Sequence, residues 1–127
     1  MSNMNNKVKK VLKLACLEAG KIILKNYGKK KNVKSKGNND WVTNQDIIIE
    51  KKIIQIIKKT FPDSSFIGEE TGFSNASSNI TWVIDPIDGT NNYIHDYPFF
   101  CTSIGVLINN KIQYGAIYDS LRDEFFY

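Results

Sequence analysis

The chain has 127 residues, 42% of them hydrophobic and 24% charged, a composition suited to a globular protein with one modest core. No apolar run approaches the ~18 residues that span a bilayer. The polar start, Met1 to Lys7, lacks the apolar core of a signal peptide, so a cytoplasmic protein with no membrane partner is expected. Two cysteines, Cys16 and Cys101, belong to no Cys-x-x-Cys or Cys/His pattern. They read as small buried hydrophobes in a reducing compartment.

The net charge of +4 hides an asymmetry. Residues 1–60 carry 15 of the 17 Lys/Arg and four of the 13 Asp/Glu, a balance of +11, which leaves −7 for residues 61–127. A basic half raises the question of nucleic acid, but aromatic residues do not interleave with Lys29-Lys30-Lys31, Lys34 and Lys36 as single-strand binding would want. The lysines read instead as solvated helix faces, and no nucleic-acid partner is expected. Clustered carboxylates in the second half carry more information.

Val8, Val11, Leu12, Ala15, Ala19, Ile22 and Ile23 recur at three- and four-residue steps with lysines between them. The spacing predicts an amphipathic helix over about 4–27, ending near Gly28. Residues 29–39 have no periodicity and read as a basic loop. Thr43 is placed to cap a second helix, with Ile49, Ile53, Ile56 and Ile57 on one face and Pro62 closing it. Asp46, three residues after the cap, suits the helix start; that capping role is the simplest reading of its carboxylate. Ser64 to Gly68 reads as a short strand delivering Glu69 and Glu70, a pair that on most surfaces is only solvated charge. Residues 71–80 are polar and small, and read as a loop.

Trp82, Val83 and Ile84 read as a buried strand running into Asp85-Pro86-Ile87-Asp88-Gly89. Asp, Pro and Gly at those places suit a type I turn. They also suit a site for a hard cation and a phosphate: two strand ends deliver carboxylates, and Gly89 lets backbone approach an anion. Thr90 onward could then start a helix whose N–H groups face the anion. A calcium loop of the EF-hand type is excluded, because Asp85 and Asp88 are three apart with Gly immediately after. Further on, the runs 102–108 and 111–118 flank Asn109-Asn110 and predict a β-hairpin. Glu124 to Tyr127 begins another strand.

These elements predict an α+β fold, two N-terminal helices packed on an antiparallel β-sheet. No repeat or linker points to a second domain. An edge strand rich in aromatics should be covered, either by more of the same fold or by pairing with another chain.

The run from Trp82 to His95 resembles the W-[IV]-[IV]-D-P-[IL]-D-G-T-x-N-[FY]-x-H signature of the inositol monophosphatase family. Three further elements match in order: Asp40 to Asp46 (D-x-V-T-x-x-D), Phe66 to Thr71 (F-I-G-E-E-[ST]), and Tyr97-Pro98-Phe99 with the strand after it. The resemblance implies the N-terminal portion of the family's layered α/β fold, with residues 1–127 as a single incomplete domain. It implies a Mg²⁺-dependent phosphomonoesterase hydrolysing inositol 1-phosphate by a metal-activated water.

Carried over by position, Glu69, Asp85 and the Ile87 carbonyl would bind a first metal, and Asp85 and Asp88 a second. Asp46 and Thr90 would orient the water, while Asp88, Gly89 and Thr90 would bind the phosphate. A lysine of the 34–36 loop is a looser candidate to face the site. Family chains are about twice as long, and their W-D-x-A-A-G motif, which completes the second metal site, is not found in this sequence. Activity of this chain alone is therefore expected to be impaired, and a homodimer or pairing through the open sheet edge is expected. The alternatives are a sugar- or nucleotide-phosphate phosphatase of the same superfamily, or an inactive fragment that binds a partner.

Overall fold

The computed structural model describes residues 2–29, 33–37, 40–74, 76 and 78–127, with the side chains of residues 2, 34–37 and 40–42 set aside. Helix α1 spans Ser2–Asn26. It buries Val8, Val11, Leu12, Ala15, Cys16, Ala19 and Ile23, the stripe its three- and four-residue spacing predicts. Gly28, at φ +78°, turns the chain out of it.

A two-stranded ribbon follows, β1 (Val33–Gly37) and β2 (Asp40–Thr43), paired antiparallel from Val33↔Thr43 to Gly37↔Asp40. This corrects the expected loop over that stretch. Pairing with β2 satisfies the backbone there, so no hydrophobic periodicity is needed to mark the strand. Helix α2, Asn44–Thr60, begins in a complete capping box between Thr43 and Asp46 and buries Ile49, Ile53, Ile56 and Ile57. Glu50 is buried with them.

The main sheet has six strands in the order β4-β3-β5-β6-β7-β8. These are β3 (Ser65–Gly68), β4 (Gly72–Ser74), β5 (Ile80–Asp88), β6 (Cys101–Ile108), β7 (Lys111–Asp119) and β8 (Glu124–Phe126). The sheet is mixed rather than purely antiparallel, because β3 runs parallel to β5. Alternation within single strands reveals a buried face but not a neighbour's direction, which is set by the path of the chain. The short β4 also replaces part of the loop expected over 71–80, pairing Phe66↔Ser74 to Gly68↔Gly72. Asn109 and Asn110, at φ +53° and +63°, make the tight turn between β6 and β7 that the hairpin reading requires.

Helices α1 and α2 cover one face of the sheet, where Phe66, Trp82, Ile84, Ile104, Val106, Ala116 and Tyr118 join them in a single core. Trp82 is fully buried and donates its indole N–H to Ser64 Oγ at 2.9 Å. Ile67, Val83, Ile112, Ile117 and Phe126 are exposed apolar residues of the sheet. Cys16 and Cys101 are both free thiols; burial pushes them up to about 12 and about 11 respectively, so neither behaves as a nucleophile.

One short helix completes the fold: α3, Thr90–Ile94. Five residues cannot hold a helix by propensity, and α3 is tied to the end of α1 instead. Tyr93 OH donates to Ile23 O (3.3 Å), Tyr27 OH to Asp96 O (2.8 Å), and Gly28 N–H to Asp96 Oδ1 (3.1 Å). The rings of Tyr27, Tyr93 and Phe100 pack together at this junction, with centroids 5.2–6.4 Å apart.

Candidate functional site

Strands β3 and β5 run parallel, so their C-terminal ends meet at one edge of the sheet. Gly68 pairs with Ile84, and Glu69 N–H donates to Ile84 O at 3.2 Å. Glu69 thus emerges beside Asp85, close enough for the two carboxylates to interact directly.

Asp85 and Asp88 are three residues apart, and in a regular strand their side chains would point to opposite faces. The register prevents that. Asp85 pairs with Ser103 and Asp88 with Cys101, so β5 spends three steps where β6 spends two. This bulge adds one residue to β5 and restores the parity: Ile84 and Ile87 are both buried, Asp85 is half-buried and Asp88 is exposed. The fully buried Thr102 holds the distortion by donating its hydroxyl to Pro86 O at 2.9 Å. The simple turn considered for this stretch is thus a bulged strand end running into Gly89, at φ +94°, and then α3.

Asp46 reaches the same edge from the start of α2. Its Oδ2 accepts from Thr43 N–H (2.8 Å) and the Thr43 hydroxyl (2.6 Å). Thr90 Oγ1 lies 2.9 Å from both Asp46 Oδ1 and Ile87 O; a hydroxyl has one proton, so it donates to one at a time. Capping and site placement are therefore the same structural fact for Asp46. Burial raises its carboxyl above the usual range, opposed by the hydrogen bonds from Thr43 and Thr90.

Asp85 is the most perturbed carboxyl, pushed up to about 8, first by burial and then by Glu69, Asp88 and Asp46. Its Oδ1 is buried and has no hydrogen-bond partner in the described structure. A largely apolar cleft of about 470 Å³ lies beside it, lined by Ile67, Val83, Ile84 and Ile112 as well as Gly68, Glu69, Asp85, Ser103 and Gly105.

Among the described residues, no three His, Cys, Asp or Glu side chains are already gathered as a metal cluster. The donor chemistry nonetheless fits a hard cation: an orphaned carboxylate oxygen, carboxylates that repel one another, and the carbonyl of Ile87 close by. A divalent cation would relieve both the orphan and the repulsion.

Glu69, Asp85, Ile87, Asp88, Gly89, Thr90 and Asp46 thus meet at one end of the sheet, contributed by β3, β5, α3 and α2. The side chains of Lys34 and Lys36 lie outside the described residues. Sequence reasoning missed Thr102 and Glu50. Thr102 is one of two adjacent hydroxyl residues in an otherwise apolar strand, and Glu50 reads as solvated charge on a lysine-rich helix.

A mixed sheet backed by two helices, with Glu69 and Asp85 brought side by side where parallel strands end, defines an α+β protein with acidic residues at one end of its sheet. The chain belongs to the inositol monophosphatase family, whose model matches residues 4–127. It is 43% identical to the Nus factor SuhB of Haemophilus influenzae over 115 residues, 88% of this chain and 43% of that protein. It is 37% identical to a fructose-1,6-bisphosphatase/inositol-1-monophosphatase of Aquifex aeolicus, over all of this chain and 48% of that protein. Among solved structures, the extragenic suppressor protein suhB of Bartonella henselae superposes with a TM-score of 0.91 at 34% identity, covering 94% of this chain and 48% of that one. The chain therefore spans about half the length of the relatives it matches. One relative is named a Nus factor rather than a phosphatase, so family membership alone does not fix activity or exclude a macromolecular partner.

Proposed function

We propose that this chain carries the cation- and phosphate-binding part of a Mg²⁺-dependent phosphomonoesterase of the inositol-phosphate type. The observation that carries the reading is the buried, unpartnered Oδ1 of Asp85 among the carboxylates of Glu69, Asp88 and Asp46. Glu69, Asp85, Asp88 and the Ile87 carbonyl would hold the cation. When bound, Mg²⁺ would polarise a phosphoryl oxygen and lower the pKa of a water.

The chain's own residues would supply positioning and proton transfer. Gly89 bends the backbone so that its N–H and that of Thr90, with Asp88 beside them, take the phosphate. Thr90 Oγ1 accepts a proton from the attacking water as its own proton passes to Asp46 Oδ1, 2.9 Å away. Burial of Asp46, which favours its protonated form, suits it to receive that proton. The water oxygen bonds to phosphorus as the phosphorus–oxygen bond to the alcohol breaks, and the leaving oxygen takes a proton from solvent water, giving the alcohol and inorganic phosphate.

Mn²⁺ titration of the chain, followed by the loss of the free-ion EPR signal, tests the reading. Binding that weakens at least about tenfold in Asp85→Asn is expected; no binding, or an unchanged affinity, refutes it. Phosphate release from inositol 1-phosphate with Mg²⁺ is expected to be weak for the chain alone, and family-like turnover would show that these residues suffice. The bifunctional name of the Aquifex aeolicus relative favours including fructose 1,6-bisphosphate as a second substrate.

A further inference from the structure

We propose that Glu50 is a positioning residue that fixes Glu69 for cation binding, an inference that rests on reading Glu69 as a ligand. Glu50 lies on the apolar face of α2 between Ile49 and Ile53, and its exposure is 0%. Burying a carboxylate there is costly unless it is fully engaged. Its engagement is with one turn: Oε1 accepts from Glu70 N–H at 3.1 Å and Oε2 from Thr71 N–H at 2.5 Å. Those two amides directly follow Glu69, at the place where β3 ends.

The fit is close on the other side too. A Cβ built on Gly68 would lie 2.6 Å from both Cδ and Oε2 of Glu50, so glycine at 68 lets the backbone rest directly on the carboxylate. Glu69 is thereby flanked: Gly68 before it touches the Glu50 carboxylate, and Glu70 and Thr71 after it are bound by the carboxylate. The side chain of Glu69 is exposed and interacts with Asp85, and the Glu50 carboxylate fixes the backbone that carries it. A neutral acceptor could cap this turn without placing a charge in the core. A carboxylate grips both amides and adds negative charge behind the cleft, as outer-shell partners do at metal sites.

Mn²⁺ binding by the full chain, again read by EPR and well below the melting temperature, tests this. Glu50→Gln keeps one acceptor and removes the charge, and is expected to weaken Mn²⁺ binding by about 10-fold to 100-fold. Ile53→Val, on the same buried face, is expected to lower the melting temperature while binding Mn²⁺ as the wild type does. In a Glu69→Gln background, Glu50→Gln is expected to cost little more, because its effect passes through Glu69.

Equal Mn²⁺ affinity of the wild type and Glu50→Gln overturns the inference and leaves the cation site standing. An undiminished loss in the Glu69→Gln background also overturns it. No Mn²⁺ binding by the wild type removes the site reading, and this inference with it. Should Glu50→Gln not fold, Gly68→Ala presses on the same carboxylate from the turn. Weaker Mn²⁺ binding is then expected, and wild-type affinity in that variant overturns the proposal.

Discussion

Gly89→Ala tests how tightly the bulged strand end is held against the loop that follows. Gly28 and Gly89 both lie in the left-handed region, at φ +78° and +94°, so alanine at either pays a similar conformational cost of about 1–2 kcal/mol. Their surroundings differ. A Cβ on Gly28 meets nothing within 4 Å, whereas one on Gly89 lies 2.9 Å from the backbone oxygen of Phe99 and 3.3 Å from Phe100 Cα. Phe99 O is not free to retreat, since it accepts from Asn92 Nδ2 at 2.8 Å and its ring packs under Arg122. Overpacking against fixed backbone adds about 1–3 kcal/mol, giving roughly 2–5 kcal/mol for Gly89→Ala in all. Urea unfolding of both variants, followed by circular dichroism and compared at equal m-value, measures the difference. If Gly89→Ala costs within about 0.5 kcal/mol of Gly28→Ala, the close approach to Phe99 is refuted.

Asp46→Asn leaves one carbonyl oxygen where two oxygens served Thr43 and Thr90, and should cost about 1–2 kcal/mol in unfolding free energy. Thr102→Val removes the hydroxyl that donates to Pro86 O; a loss of about 1–3 kcal/mol in a denaturant titration is expected, with Thr102→Ser retaining most of the stability. Asn110→Gly, at φ +63°, relieves a left-handed residue in a tight hairpin and should raise the melting temperature slightly.

The elements that speak through side-chain periodicity were legible in the sequence. The apolar stripes of α1 and α2, the Thr43–Asp46 cap and the Asn109-Asn110 hairpin all appear where spacing and turn chemistry place them. The residues that lie together at this end of the sheet could be singled out as candidates, but the way they meet could not be read. The parity of Asp85 and Asp88 depends on an extra residue in β5 that exists only relative to β6. The direction of β3, which brings Glu69 beside Asp85, follows from the chain path. The β1–β2 ribbon, Val33–Gly37 and Asp40–Thr43, has no alternating apolar pattern to mark it, and its pairing is carried by backbone. Glu50 was hidden by its surroundings in sequence: between isoleucines and lysines it looks like ordinary helix charge, and only the turn it binds, 20 residues on, reveals it.

The tie between α1 and α3 has a consequence for motion. Because α3 is one turn long, its order is borrowed from Ile23, Tyr27 and Gly28, nearly seventy residues earlier in the chain. Fraying at the end of α1 would release Tyr93 and Asp96 together, and with them the segment that carries Thr90. Amide exchange in 91–96 should therefore follow the opening of the last turn of α1 rather than that of the adjacent strands. The segment that carries Thr90 and the strand ends that carry Glu69 and Asp85 then belong to separate units of local stability, one anchored by a helix end and the other by the sheet.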